Sequence, residues 1–430
     1  MECPGIDGKD AMMRIRHIFW VFLACVSLAA LTGCPPASQP PASISASNEL
    51  IRVRIFPSVN RADIGIGGGG GSSSVLASVS GDPAVHELIL PASGGVPVLR
   101  QGSLWRIGAA QLSGGAITLQ AKSGGTFAVN QSPYRGSLRL VPLGDGALFD
   151  VVNDVEIDDY LSGVLARELY RDWPLETYKA QAVVARTYAL YQSHTDGLSR
   201  YWDVWADERS QVYGGVAAET ELSRRAATET AGLVLVYGPG EGHIFEAYFS
   251  SDNGGVPQSG FDAFGMSDIP PLAAHAGENW GHLSPHYNWG PLTVSKEELT
   301  RRIRTWAARK TPVRAIVGLT MVNSVEVAAL NPYGRPRTFK VTDANGTIYL
   351  LAAEEMRQAF DAGAPAGAGM PSSFCKARAE GNNIVFYDGH GLGHGVGMSQ
   401  YAAREQAQAG WSYEAIVDFA YPQSRLAKAY

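Results

Sequence analysis

The stretch VEIDDYLSGVLARELYRDWPLETYKAQAVVARTYALYQ, Val155 to Gln192, carries the densest pattern in the chain. Its first half places Ile157, Tyr160, Leu161, Val164, Leu165 and Leu169 at the 3.6-residue spacing of a buried helix face. Glu168 stands seven residues after Leu161 and four after Val164, inside that apolar stripe. A carboxyl desolvated there holds its proton to higher pH, as a general acid must. A surface Glu168 paired with Arg167 or Arg171 at a helix end fits the same pattern, and spacing leaves both readings open. The second half predicts another helix, with Pro174 at its first position and Glu176 in the first turn against the positive end of the dipole. Small and β-branched residues between Ala180 and Ala189 suit close packing against the first helix. Lys179 and Arg186 are seven apart and share a side. If that side faces Glu168, the two cations oppose the effect of burial on its pKa, and the balance stays open.

These residues carry a resemblance. Asp159-Tyr160-Leu161, Gly163-Val164, Glu168, Trp173-Pro174-Leu175-Glu176, Lys179-Ala180-Gln181-Ala182 and Ala185-Arg186-Thr187-Tyr188-Ala189 are similar to the core motif of the SpoIID/LytB family. The resemblance implies a peptidoglycan-directed protein whose motif glutamate, here Glu168, is the catalytic acid of a lytic transglycosylase. It also implies a substrate glycan already stripped of stem peptides by an amidase.

The chain has 430 residues, 45% apolar and 18% charged, the make-up of a globular protein with a substantial core. Its net charge of -6 argues against nonspecific nucleic-acid binding. Met13 to Ala30 reads as a basic and then apolar secretory signal, with Met12 or Met13 as the start. It ends in Leu31-Thr32-Gly33-Cys34, which resembles a bacterial lipobox and implies lipidation of Cys34 and a membrane anchor facing the cell wall. Residues 35–48 form a Pro/Ala/Ser tether. Cys375 is then the one thiol outside signal and anchor, so no disulfide framework is expected, and its place beside Phe374 suits a small buried hydrophobe.

Residues 49–150 read as short β runs between Gly-rich turns, and 151–425 as the mixed region that carries the motifs. Gly67 to Gly71 is a flexible loop rather than a phosphate cradle, because no Gly-Lys-Ser/Thr follows. Asp203, Gln211, Tyr213 and Gly215 match the next family motif. Some members hold zinc there with two cysteines; here Trp205 and Ser210 stand in those places, and no metal or other cofactor is expected. Ala218 to Ala231 predicts a helix, Leu233 to Tyr237 a strand, and His243 to Phe249 a second strand running into Ser250-Ser251. That serine turn resembles the family's, although Asn253-Gly254 would equally suit a plain hairpin. No Gly-x-Ser-x-Gly elbow surrounds either serine, which argues against a serine hydrolase.

Further on, Val294 to Ala308 predicts a helix with Arg301, Arg302 and Arg304 on a solvated face, and Val313 to Val327 a strand. Gly334-Arg335 and Met356-Arg357 sit where the family often has like pairs. Asp388 to Gln400, DGHGLGHGVGMSQ, matches the family's Gly-rich loop through His394, Met398, Ser399 and Gln400, whereas His390 stands where others often have Arg. A helix from Ser399 to Ala409 follows, and Ser412 opens another.

The expected fold is α+β, a β-rich lead packed on a mixed catalytic region. By resemblance the cleft gathers Glu168 as catalyst with Lys179, Arg186, Gln211, Tyr213, Ser250, Ser251, His394, Ser399 and Gln400 as substrate contacts. The expected reaction is non-hydrolytic cleavage of the β-1,4 bond between N-acetylmuramic acid and N-acetylglucosamine. The competing expectation is a non-enzymatic modulator of an N-acetylmuramoyl-L-alanine amidase, as in one branch of the family.

Overall fold

The computed structural model describes residues 49–67, 72–122, 125–276, 280–310 and 314–430. The expected signal, the tether, Cys34 and the Gly68–Gly71 part of the glycine loop lie outside these residues. The fold is α+β. A seven-stranded sheet runs in the order Val204–Trp205, Leu50–Val59, Phe149–Glu156, Ser137–Pro142, Ile117–Ala121, Ser72–Val79, Val85–Pro91. All its pairings are antiparallel except that of Val204–Trp205 with Leu50–Val59. A six-stranded sheet, with Arg61–Gly67 between Thr126–Val129 and Val96–Gln101, lends its apolar face to the same core. Alternation makes this possible: Ile51 and Val53 point inward from one sheet, Ala62 and Ile64 from the other, each fully buried.

The long strand Phe149–Glu156 leads directly into helix α1 (Ile157–Glu168), and a short turn brings the chain into α2 (Leu175–His194). Pro174 is the residue before α2 rather than its first position, with extended backbone angles that aim the chain into the helix. Ile157, Tyr160, Leu161, Val164 and Leu165 are all buried, in one core with the two sheets and with Ala182, Ala185 and Ala189 of α2. The other face of α2, through Ala180, Val183 and Val184, packs into a second cluster with Phe245, Val396, Met398, Ile416 and Tyr421. That two-sided burial is why α2 is rich in alanine and why even Thr177, Gln181, Arg186 and Thr187 on it are buried.

The next helix is shorter than its sequence suggests. Thr220 caps α3 (Glu221–Glu229) by accepting from the Ser223 N–H, and a 3₁₀ turn occupies Val216–Ala218. Strand Leu233–Tyr237 forms as expected, but His243 to Phe249 is not one strand. Only His243–Ile244 and Phe249–Ser250 pair, with different partners, because a tight turn from the Glu246 carbonyl to the Tyr248 N–H interrupts the ladder. After α4 (Gly260–Phe264), Ser295 caps α5 (Lys296–Ala308), preceded by strand Leu292–Ser295. Val313, where a strand is expected to start, lies outside the described residues; residues 315–318 are a 3₁₀ turn, and the described strand begins at Val322. Helix α6 (Ala353–Asp361) packs with α5 over a separate apolar cluster that includes Cys375. Arg302 is not solvated: it is buried, binds Glu298, and donates to the Phe360 carbonyl near the end of α6. Helices α7 (Gln400–Gln408) and α8 (Tyr413–Ala420) are capped by Ser399 and Ser412. No described helix is long and apolar enough to cross a membrane.

Candidate functional site

Glu168 ends α1, where the last apolar turn meets the loop 203–215 and the start of α7. Its Oε1 accepts the Val212 N–H at 3.0 Å, and the Gln400 side chain also bonds the carboxyl. Gln400 reaches on to Gln181 of α2, Nε2 to Oε1, at 3.4 Å. Glu168 is partly exposed, yet burial around its carboxyl is the dominant influence and pushes its pKa up. The two hydrogen bonds pull it down by less, and the charge of Glu208 adds to the rise. A proton is therefore held to higher pH than on an ordinary glutamate, while two donors stand ready for the carboxylate once the proton leaves.

Lys179 and Arg186 do not border this carboxyl. Lys179 pairs with Glu176 at 3.0 Å and Glu229 at 2.7 Å. Arg186 is fully buried and binds Asp158, at the start of α1, at 2.6 Å. It also donates to the Leu233 and Ala227 carbonyls, fastening α1, α2 and α3 together. Helical spacing put the two cations on one side, but that side faces α3. Among the described residues, no cation opposes burial at Glu168.

The loop 203–215 is built from buried polar groups. Asp203 is locked to Arg52 by paired hydrogen bonds. Gln211, expected to touch substrate, is fully buried. Its Oε1 accepts from the Tyr160 hydroxyl at 3.0 Å and its Nε2 donates to the Ala185 carbonyl at 3.3 Å. Tyr213 is buried too, its hydroxyl on Asn153 at 3.1 Å. Its ring lies so close to α1 that a Cβ on Gly163 would stand 2.8 Å from it, which accounts for the glycine there. Both residues work through position: they fix the backbone that carries the Val212 N–H. Trp205 and Ser210 are neighbours, Trp205 N–H to Ser210 Oγ at 3.1 Å, and neither supplies a zinc donor. Among the described residues no group of three or more His, Cys, Asp or Glu could hold a metal ion. The guanidinium groups of Arg54 and Arg209 lie over the Trp205 ring, 4.5 and 3.3 Å from its centroid.

Strand Phe249–Ser250 lies parallel to Met398–Ser399, so the serine turn and the start of α7 are adjacent. Ser399 Oγ caps α7 by accepting from Ala402 N–H. Ser250 is buried with an unpartnered hydroxyl, and the Ser251 carbonyl accepts from Tyr401 N–H. Arg335 ties the serine turn to the Gly-rich loop. Its buried guanidinium donates to the carbonyls of Asn253 and Val256 at 2.7 Å and of His394 at 3.0 Å. Any Cβ on Gly395, which has φ of +73°, would collide with that group. His394 packs its ring against Tyr248 and Phe264 and accepts the Val396 N–H at Nδ1. Burial pushes its pKa down to about 4, so the ring is neutral and serves the loop. His390 lies against Phe374, with Asp388 3.6 Å away.

Sequence reasoning missed a second protonatable carboxyl. Glu246, in the interruption between strands, accepts from Gln192 Nε2 at 2.6 Å, and burial raises its pKa to about 7. Gln181 and Trp173 appeared only as motif residues, and Val212, Tyr170 and Tyr401 were missed. Surface depressions of about 700 Å³ along α5 and about 480 Å³ beside α8 are lined by none of these residues.

A helix pair ending in a partly desolvated glutamate, met by a Gly-rich loop and a serine strand, lies where the chain is similar to known proteins, and those similarities support the SpoIID/LytB family. The family described as SpoIID, stage II sporulation protein, matches residues 146–237, which span α1, α2 and the loop 203–215. Among curated relatives, an uncharacterised protein of Brachyspira hyodysenteriae is 29% identical over 296 residues, covering 69% of this chain and 72% of the relative. The amidase enhancer of Bacillus subtilis is 28% identical over 304 residues, 62% of this chain but only 40% of that protein's length. The stage II sporulation protein D of Bacillus subtilis is 25% identical over 292 residues, 65% of this chain and 76% of the relative. These similarities support a cell-wall-related role.

Proposed function

We propose that the chain is a lytic transglycosylase that cuts the β-1,4 bond between N-acetylmuramic acid and N-acetylglucosamine in peptide-free glycan strands. The observation that carries this reading is Glu168, a carboxyl with a burial-raised pKa that stays partly accessible and has both carboxylate donors in place. Glu168 gives its proton to the leaving O4 as the C1–O4 bond breaks. The Val212 N–H and the Gln400 amide stabilise the carboxylate so formed. That carboxylate then takes the C6 hydroxyl proton as O6 bonds to C1, closing a 1,6-anhydro ring. The proton returns to Glu168 and no water is consumed, so one carboxyl serves both steps, where hydrolytic glycosidases use two. This chemistry requires no cofactor. The serine strand and the Gly-rich loop, held by Arg335, adjoin the start of α7, whose Gln400 bonds Glu168. Lipidation at Cys34 would station the enzyme on a bacterial membrane facing the wall.

The similarity to a protein named amidase enhancer favours a second reading, a modulator that binds glycan and speeds an amidase. The two separate on purified components. The enzyme reading expects the protein alone to shorten peptide-free glycan. A protein that never shortens glycan but accelerates peptide release by an added amidase is the modulator.

A further inference from the structure

Two residues past Glu168 begins an aromatic surface that the proposed cleavage does not use. Tyr170 is 61% exposed, and it is not alone but joins two further aromatic rings. The ring is backed by Trp173 at 5.5 Å and Tyr401 at 6.5 Å between centroids, and the Tyr170 and Tyr401 hydroxyls are hydrogen-bonded. The Tyr170 carbonyl accepts from the Tyr178 hydroxyl and from the Trp173 N–H, both at 3.1 Å. It is an exposed ring held in one orientation, the form in which an aromatic side chain stacks a flat apolar face at low entropic cost.

Arg404 completes the surface. It is four residues after Gln400, hence one turn along the same face of α7 that reaches Glu168. Its guanidinium lies over the Trp173 ring, 5.4 Å from the centroid. It has no carboxylate partner among the described residues, and its Nε is buried without a hydrogen bond. Asp252, the carboxyl that acts on Tyr401, is held by the Gly254 N–H. A planar cation stacked on one ring and adjoining an exposed second ring suits a ligand with a sugar face and a carboxylate side by side.

We propose that Tyr170 and Arg404 form a subsite for a sugar ring bearing a free ether-linked lactyl carboxylate, Tyr170 stacking the ring and Arg404 binding the carboxylate. This rests on the glycan-cutting reading above and deepens it: a peptide joined to the lactyl group turns that carboxylate into a neutral amide and removes the partner of Arg404. Preference for stripped glycan would then be read by charge, next to the scissile bond.

The test is calorimetric binding to the Glu168→Gln protein, which keeps the site but removes the acid. Two probes are compared: the tetrasaccharide of alternating N-acetylglucosamine and N-acetylmuramic acid with free lactyl carboxylates, and the same saccharide with each lactyl group capped as its methylamide. We expect the free acid to bind about tenfold more tightly, the scale of one charge-assisted hydrogen-bonded contact. Adding Arg404→Gln should abolish the difference, and Tyr170→Ala should weaken both probes while Tyr170→Phe does so less. Equal binding of the two probes, no binding of either, or a preference that survives Arg404→Gln overturns the proposal. Because binding is read without turnover, a preference seen in a protein that never cuts glycan would keep this subsite and refute the cleavage reading alone.

Discussion

The Val212 N–H meets Glu168 Oε1 at 3.0 Å, although the two residues are 44 apart in the chain. The donor reaches the carboxyl because Gln211, one residue earlier, is anchored between Tyr160 of α1 and Ala185 of α2. The loop therefore cannot shift without breaking buried hydrogen bonds, which are costly to leave unmade. The proposed acid is preorganised for both of its charge states.

The first prediction concerns Gln400. Its amide favours the ionised form of Glu168, so Gln400→Ala should raise the Glu168 pKa further, because a hydrogen bond to the charged form is lost. The first step needs the protonated form, and activity falls as pH rises through that pKa. The alkaline limb of the rate profile on peptide-free glycan should move up in the variant while the maximal rate drops. An unmoved limb would mean that Gln400 does not act on the reacting carboxyl.

Arg186 and Lys179 should separate into structural and near-neutral effects. Arg186→Gln leaves Asp158 and several carbonyls without their donor, at about 3 kcal/mol of stability. Lys179→Gln breaks two surface pairs, at under about 1 kcal/mol. Urea unfolding checks both. Below the unfolding transition the Arg186 variant should keep the product pattern; a changed pattern with unchanged stability would return Arg186 to the substrate.

Glu246 gives a pH-dependent prediction with a definite sign. Its folded pKa of about 7 lies above the ordinary carboxylate value. Between those values the unfolded chain has released the proton and the folded one has not, so stability falls as pH rises through this window. Above it the ionised carboxyl carries the full penalty, at most about 3 kcal/mol. Glu246→Gln keeps an acceptor for Gln192 and removes the charge. It should be more stable than the parent at pH 8 and close to it at pH 4.5. Equal stability at both pH values would contradict the burial of this acid.

Local pattern made α1, α2, most strands and the caps Ser399 and Ser412 legible, because each depends on residues within a few positions. Glu168 stood out for the same reason, as a carboxyl in an apolar stripe. The orientation of Lys179 and Arg186 did not, since it is set by α3 and by Asp158, 28 residues before Arg186. Gln211 and Tyr213 looked like ligand contacts, yet their polar atoms are spent inside the protein on Tyr160, Ala185 and Asn153. Glu246 was hidden because His243 to Phe249 has the composition of a continuous strand, and only long-range pairing shows where the ladder breaks. Arg302 was misjudged similarly, as its acceptor lies on α6.

The central claim is that Glu168 is the acid and then the base of a non-hydrolytic cut. Its most direct test is mass spectrometry of peptide-free glycan strands after incubation with the purified wild type and with Glu168→Gln. The wild type should leave 1,6-anhydro ends, lighter by one water than hydrolytic ends. The variant keeps the shape and hydrogen-bonding capacity of the side chain but should lose roughly 10²–10⁴ in rate. Cleavage by Glu168→Gln at the wild-type rate, or reducing ends from the wild type, would contradict the account.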